Sequence, residues 1–338
     1  YEKYPNKIAI HFMGMDITYR ELYESSLKFA NYLKKLGIEK GDRVAIMLPN
    51  CPQSVIAYFG VLYAGGIVVQ TNPLYTEREL QYQMEDSGAK VILTLDILYP
   101  RVLKVLNKTK IENVVITAIK DYLPIFKKIV YPFIQKKQYG FSVKVEHKGM
   151  THLFYKIMIH SEMLPIELVI DNQEDVALIQ YTGGTTGFPK GVMLTHRNLI
   201  ANTMMCNAWM YKGKDGEEVI LGMLPFFHVY GMTTVLLLAV IKGSKMLLIP
   251  KFDIKQALKT INKQKPTLFP GAPTMYIGLL NHPDIQRYNL SSIKACLSGS
   301  APLPVEIQEK FEKVTGGKLV EGYGLTETSP VTHANFIW

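Results

Sequence analysis

Three features of the 338-residue sequence predict an α/β fold. Segments of strand character alternate with helical segments of ten or more residues, the pattern of strand–helix–strand crossovers. Several strands lack the alternation of a half-exposed sheet, as expected where a parallel sheet is covered on both faces. At about 150 residues per domain, the length suffices for two domain-sized units or one large unit with two sheets.

A strand is expected at Ile8–Phe12, followed by Thr18 and Glu21 at capping-box spacing. Leu22, Phe29, Ala30, Leu33 and Leu36 then recur at helical intervals up to Gly37. Residues 44–48 form an unalternated strand, 54–64 a crossover helix and Ile67–Gln70 the next strand. Thr76 and Glu79 cap a second helix that Gly88 stops, and 90–94 adds a strand. Further on, 176–181 and 245–249 are predicted strands, and 254–263 and 305–314 predicted helices. No repeat of solenoid period is present.

Composition excludes several classes. With 48% hydrophobic and 20% charged residues, the chain is neither disordered nor collagen-like. Cys51, Cys206 and Cys296 form no CxxC pair, which argues against a disulfide framework or structural zinc and for a reducing, cytoplasmic location. The charge-free stretch 44–76 is divided by Pro49, Pro52, Gly65, Gly66 and Pro73, so it reads as strand, helix, strand rather than a membrane span. No basic stretch leading into a long apolar one opens the chain, so no signal peptide is expected. The net charge of +9 attracts anions without selecting among them.

One segment departs from the α/β rhythm. Between Lys120 and Lys148, seven lysines are interleaved with Leu123, Ile125, Phe126, Ile129, Val130, Tyr131, Phe133 and Ile134. The pattern fits a surface helix pair whose apolar side packs on the domain. It also fits a basic amphipathic stretch lying on an anionic membrane, which would place the protein peripherally on the inner face, although amphipathicity alone is what any surface helix shows.

Four motifs carry chemistry. Gln180-Tyr181-Thr182-Gly183-Gly184-Thr185-Thr186-Gly187-Phe188-Pro189-Lys190-Gly191 follows a buried strand. Its glycines let backbone amides converge on one anion, while threonine hydroxyls and a lysine add donors and charge. It is a phosphate cradle by composition but not a Walker loop, because Phe188 and Pro189 separate Gly187 from Lys190. In Glu321-Gly322-Tyr323-Gly324-Leu325-Thr326-Glu327-Thr328, an aromatic ring between glycines can face a planar base, and a hydroxyl and a carboxylate follow for a phosphate and its Mg²⁺. A buried tyrosine with a helix-capping threonine is the structural alternative. Leu297-Ser298-Gly299-Ser300-Ala301-Pro302-Leu303 has turn composition between a strand and a helix, and Pro225 to Gly231 contains the lone His228.

Together and in this order, the motifs resemble the adenylate-forming superfamily of acyl-CoA synthetases, luciferases and peptide-synthetase adenylation domains. The segment Thr182 to Gly191 is similar to that family's phosphate-loop signature, with Gly183 where many members have serine. This variant, with the His228 context and Phe269 to Thr274, looks like bacterial long-chain fatty acyl-CoA ligases.

The resemblance implies the large N-terminal domain of that fold, with two similar sheets flanked by helices in a layered sandwich. The implied subdivision joins 1–72 with 222–338 in one sheet unit and places 73–221 in the other. The family's terminal barrel, ribose-binding aspartate and C-terminal domain with its lysine would follow Trp338, so the chain is expected to be a fragment that binds substrates without turning them over.

The resemblance further implies that Thr182, Gly183, Gly184, Thr185, Thr186, Gly187 and Lys190 hold the ATP phosphates. Gly299, Ser300, Ala301, Glu321, Gly322, Tyr323 and Gly324 would line the AMP site, with Tyr323 on adenine. Thr326 would contact the α-phosphate and the substrate carboxylate, Thr186 and Glu327 would hold Mg²⁺, and Thr326, Glu327 and His228 form the implied catalytic set. His228, Tyr230, Gly231, Gly271 and Gly299 would receive the acyl group, these glycines and Ala272 leaving room for a long tail. Met232 occupies the place of a gating tryptophan seen in some relatives. The implied reaction joins a fatty acid to ATP, giving acyl-adenylate, and then to coenzyme A. Two other readings stay open: an adenylating ligase for an aryl or other carboxylic acid, and a nucleotide- and acyl-binding module without turnover. A nucleic-acid partner, resting on charge alone, is not expected, and oligomeric state is left open.

Overall fold

The computed structural model describes the chain apart from residues 140–144, 146–148 and 184–188, and apart from the side chains at 132, 134 and 137–139. Gly184, Thr185, Thr186 and Gly187, together with Lys144, Lys148 and the Lys137 side chain, therefore lie outside the described residues.

Two sheets carry the fold, with strands numbered in chain order. The eight-stranded sheet contains β1 (Ile8–Phe12), β2 (Met15–Thr18), β10 (Val219–Gly222), β11 (Lys245–Leu248), β12 (Leu268–Gly271), β13 (Ala295–Ser298), β14 (Lys318–Gly324) and β15 (Val331–Ala334). Its order is β15-β14-β13-β12-β10-β11-β1-β2. The seven-stranded sheet contains β3 (Arg43–Met47), β4 (Ile67–Gln70), β5 (Val91–Leu95), β6 (Asn113–Thr117), β7 (Thr151–Leu153), β8 (Val176–Thr182) and β9 (Lys190–Thr195), in the order β7-β6-β5-β3-β4-β8-β9.

In the seven-stranded sheet, pairing is parallel from β7 to β8, and β5 is buried at all five positions. This is the covered parallel sheet that the unalternated strands predicted. Two antiparallel pairs, β8 with β9 and β14 with β15, were not anticipated. Their return strands are mostly half-exposed or exposed and carry little strand patterning of their own.

Helices α1 (Tyr19–Lys35), α2 (Pro52–Tyr63), α3 (Glu77–Ser87), α4 (Tyr99–Val105), α5 (Ile125–Tyr139), α6 (Phe154–His160) and α7 (His196–Trp209) follow in chain order. The predicted start of α3 holds: Thr76 Oγ1 accepts from Glu79 N at 3.3 Å, and Glu79 Oε2 accepts from Thr76 N at 2.7 Å. Gly88 ends it at φ +60°, a left-handed conformation that favours glycine. The charge-free stretch resolves into β3, α2 and β4. Among the described residues no helix is long and apolar enough to cross a membrane.

The chain divides into one unit of Tyr1–His11, Asp16–Tyr19 and Arg197–Trp338 and another of Phe12–Met15 and Arg20–His196. This corrects the expected subdivision. β3 pairs with both β4 and β5, so residues 43–70 belong to the seven-stranded sheet rather than to that of residues 222–338. A single strand pairing on both edges joins elements that sequence spacing alone does not connect.

Each unit has its own core. Ala45, Ile92 and Val114 anchor the seven-stranded sheet. In the other unit Phe269, Tyr276 and Phe311 pack with ring centroids 4.9 Å (Phe269 to Tyr276) and 5.0 Å (Tyr276 to Phe311) apart. Such aromatic pairs add to area burial by about 0.5–1.5 kcal/mol each.

Candidate functional site

In the eight-stranded sheet the chain leaves β10 to β11 on one side and continues to β12 on the other, so the strand order reverses at β10. Parallel α/β sheets bind ligands at the carboxyl ends of strands near such a reversal. The parallel register sets Gly271, Ser298 and Glu321 side by side on β12, β13 and β14. Gly271, the 299–301 turn and residues 322–327 are thereby gathered at one edge of the sheet, although 56 residues separate Gly271 from Glu327 (327 − 271).

Tyr323 is 60% exposed, which removes the reading of a buried tyrosine, and its ring lies 6.3 Å from that of His333 with the two planes tilted by 50°. Its flanking glycines have a packing cause. A Cβ on Gly322 would lie 2.9 Å from Leu297 Cδ1, and one on Gly324 would collide with the Pro330 carbonyl. The capping role falls on Thr328, whose Oγ1 accepts from Leu325 N at 3.1 Å. That leaves the Thr326 hydroxyl and the exposed Glu327 carboxylate without a hydrogen bond or ion pair among the described residues. Glu321 is engaged instead: its Oε1 accepts from Leu303 N at 3.1 Å and ties β14 to the 299–303 turn. Within that turn Gly299 is buried, while Ser300, at φ +73°, and Ala301 are exposed. A non-glycine residue in this region is uncommon and concentrates at ligand sites.

Tyr230 donates from its hydroxyl to Leu297 O at 2.7 Å, with Gly271 O at 3.3 Å, so it braces β12 and β13. At the three glycines of this set, the position of a Cβ is crowded by the protein's own atoms. A Cβ on Gly231 would lie 2.5 Å from Pro225 O, one on Gly271 2.8 Å from Tyr276 Oη, and one on Gly299 3.1 Å from the Tyr230 ring. His228 remains solvent-accessible, with Phe227 4.9 Å from its ring, and burial against surrounding protein lowers its pKa, favouring the neutral imidazole at neutral pH.

Room for an apolar ligand lies elsewhere in the same unit. A cavity of about 720 Å³ opens between α7 and the face of β12–β15, and none of the expected acyl residues lines it. Cys206, Trp209, Leu268, Pro270, Leu297 and Val331 supply much of its wall, and Tyr323 stands at its border. The volume falls within the range of about 300–1,000 Å³ typical of small-molecule sites. Trp209 stacks on Phe336 with centroids 4.8 Å apart and donates from Nε1 to Asn335 O at 3.2 Å, closing one side.

Asn202, which the motifs did not flag, holds this wall together. It is buried on α7, its Oδ1 accepts from Val331 N at 3.1 Å, and its Nδ2 donates to Val331 O at 2.8 Å. A lone asparagine in a helix carries no sequence signal, because its partner lies more than a hundred residues away. Asn202→Ala is expected to cost about 1–2 kcal/mol by leaving part-buried strand groups unpaired. It should also weaken nucleotide binding by loosening the turn that carries Thr326 and Glu327. Thermal denaturation and ATP titration of the variant check both effects.

In the other unit β8 ends at Thr182 and β9 begins at Lys190, the two being register partners, so the glycine-rich segment joins an antiparallel hairpin. This agrees with excluding a Walker loop, which opens a helix. Gly183 and Lys190 are exposed, and Lys190 has no acidic partner among the described residues. Two tyrosines brace the stems: Tyr181 donates to Asp86 Oδ2, and Tyr82 donates to Pro189 O at 3.0 Å. Both α3 partners escaped the motif reading.

No cluster of three or more His, Cys, Asp or Glu side chains able to hold a metal occurs among the described residues. A single unpaired carboxylate such as Glu327 nevertheless fits Mg²⁺, which keeps several waters and binds through one or two carboxylates together with substrate phosphates.

Two covered sheets with ligand-facing groups at a carboxyl edge define an α/β protein with the N-terminal-domain architecture of the adenylate-forming fold. All of residues 1–338 match the family described as AMP-binding enzyme, and the chain belongs to that family. A long-chain-fatty-acid–CoA ligase of Bacillus subtilis (strain 168) is 57% identical over 338 residues, covering 99% of this chain and 60% of that protein. The chain thus spans about 60% of the length of the curated relatives it matches.

Among solved structures, an anthranilate CoA ligase in complex with anthranoyl-AMP superposes with TM-score 0.85 at 22% identity, covering 98% of this chain and 60% of that one; this likeness bears on fold alone. A long-chain-fatty-acid-CoA ligase from Archaeoglobus fulgidus superposes with TM-score 0.82 at 26% identity, covering 99% and 64%.

Proposed function

We propose that the protein activates a long-chain fatty acid with ATP, forming an acyl-adenylate and then acyl-CoA. The observation that carries this reading is the apolar cavity of about 720 Å³ bordered by the exposed Tyr323. The relative at 57% identity, a long-chain-fatty-acid–CoA ligase, supports the choice of acid.

In this reading Tyr323 stacks on adenine, and Lys190 and Thr182, with Gly183 to Thr186 and Gly187 of the glycine-rich segment, take the phosphates. Thr326 donates its hydroxyl, which has no partner among the described residues, to the α-phosphate or to the substrate carboxylate. Glu327 and Thr186 would hold Mg²⁺, which when bound offsets phosphate charge. A carboxylate approaches a polyanion only if charge is neutralised and the attack aligned, and fixed donors supply both. His228, whose neutral form is favoured at neutral pH, stands outside the cavity wall and is given no part in holding the acyl group in this reading.

The chain-length profile tests the reading on the full-length protein. Each buried methylene is worth about 0.8 kcal/mol, so two more should improve kcat/KM roughly tenfold until the cavity is filled. Pyrophosphate release from a panel of saturated acids, with benzoate alongside, measures it. A preference for benzoate or acetate would transfer the assignment to an aryl- or short-acid ligase.

A further inference from the structure

Helix α5 turns its apolar side to solvent. At about 100° per residue, Ile125, Phe126, Ile129, Val130 and Phe133 fall within one arc of about 140°. These five side chains are between 52% and 85% exposed. The opposite side is held by polar contacts: Gln135 is buried and donates from Nε2 to Asp96 Oδ1 at 3.2 Å, and Lys127 Nζ donates to Met13 O at 2.6 Å. This is the reverse of an ordinary surface helix, and it removes the reading in which the apolar side packs on the domain. Contiguous exposed apolar surface of this kind marks an interaction site.

Charge selects the occupant. The helix contains no acidic residue; Lys136 falls within the apolar arc and Lys128 beside it, both exposed and without a salt bridge among the described residues, Asp121 acting on Lys128 only at longer range. A second copy of the same face would bring like charges together, whereas an anionic lipid surface complements the lysines and accepts the aromatic and aliphatic side chains at its interface. We propose that α5 is a membrane-docking surface that seats the protein on an anionic phospholipid bilayer. The inference rests on the helix alone and stands whichever acid the protein activates.

The test is co-sedimentation of the full-length protein with vesicles of phosphatidylcholine alone and with about one third phosphatidylglycerol. The variants are Phe126→Ser/Phe133→Ser and Lys128→Glu/Lys136→Glu, each checked by thermal midpoint. The wild type is expected to partition onto the anionic vesicles in a salt-sensitive manner, and each variant to do so about tenfold less. The lysine variant alters only exposed side chains, so it remains a test even if the phenylalanine variant misfolds. Equal partitioning of wild type and the lysine variant overturns the proposal. So does a wild type that ignores anionic vesicles and instead forms a dimer that the phenylalanine variant abolishes, because the face would then be an interface between copies.

Discussion

Lys190→Ala is expected to weaken ATP binding roughly ten- to a hundredfold, the loss of one charge-assisted hydrogen bond of about 1.5–3 kcal/mol. The thermal midpoint without nucleotide should stay within about a degree, since surface changes away from structural contacts fall within ±0.5 kcal/mol. The two expectations separate because Lys190 is exposed and has no acidic partner among the described residues, so the fold loses nothing when it is removed. Glu327→Gln follows the same logic and should raise the Mg²⁺ concentration required for turnover. Calorimetric titration with ATP beside a thermal melt decides the first variant. An unchanged ATP affinity would detach the glycine-rich hairpin from nucleotide binding.

Gly231→Ala is expected to destabilise the protein by about 3 kcal/mol, the upper part of the usual range for overpacking. Helix propensity alone favours alanine by up to about 1 kcal/mol, so the sign depends on space. Here a Cβ would meet Pro225 O at 2.5 Å and Leu224 O at 2.7 Å, both backbone atoms that no rotamer change can move. Gly41 is a contrast, with nothing within 4 Å of a built Cβ, so a loss there would come from its φ of +86° rather than from crowding. A melt in which Gly231→Ala unfolds within a degree of wild type would show that the 224–231 turn yields, and would reopen the space beside Gly231 to a ligand.

Much of the fold was legible because its signals are local. Unalternated strands such as β5, the Thr76–Glu79 cap and the Gly88 stop all act within a few residues, and the structure reproduces them. The candidate site was legible as composition: glycines and threonines around Lys190, and a tyrosine between glycines. What the sequence did not show is the packing beside its small residues. A Cβ on Gly231, Gly271 or Gly299 would meet Pro225 O, Tyr276 or Tyr230, and those contacts depend on how strands and helices pack.

By itself, then, the sequence determined the fold class and the family, and it named candidates for meeting a nucleotide, since periodicity and motif spacing are properties of neighbouring residues. Only the tertiary structure decided that β3 binds strands on both its edges, that Asn202 clamps β15, that the apolar cavity lies under α7, and that α5 faces outward. Each of these depends on which distant segments pair. An amphipathic pattern specifies that a helix has two sides, and the surrounding packing alone selects which side meets water.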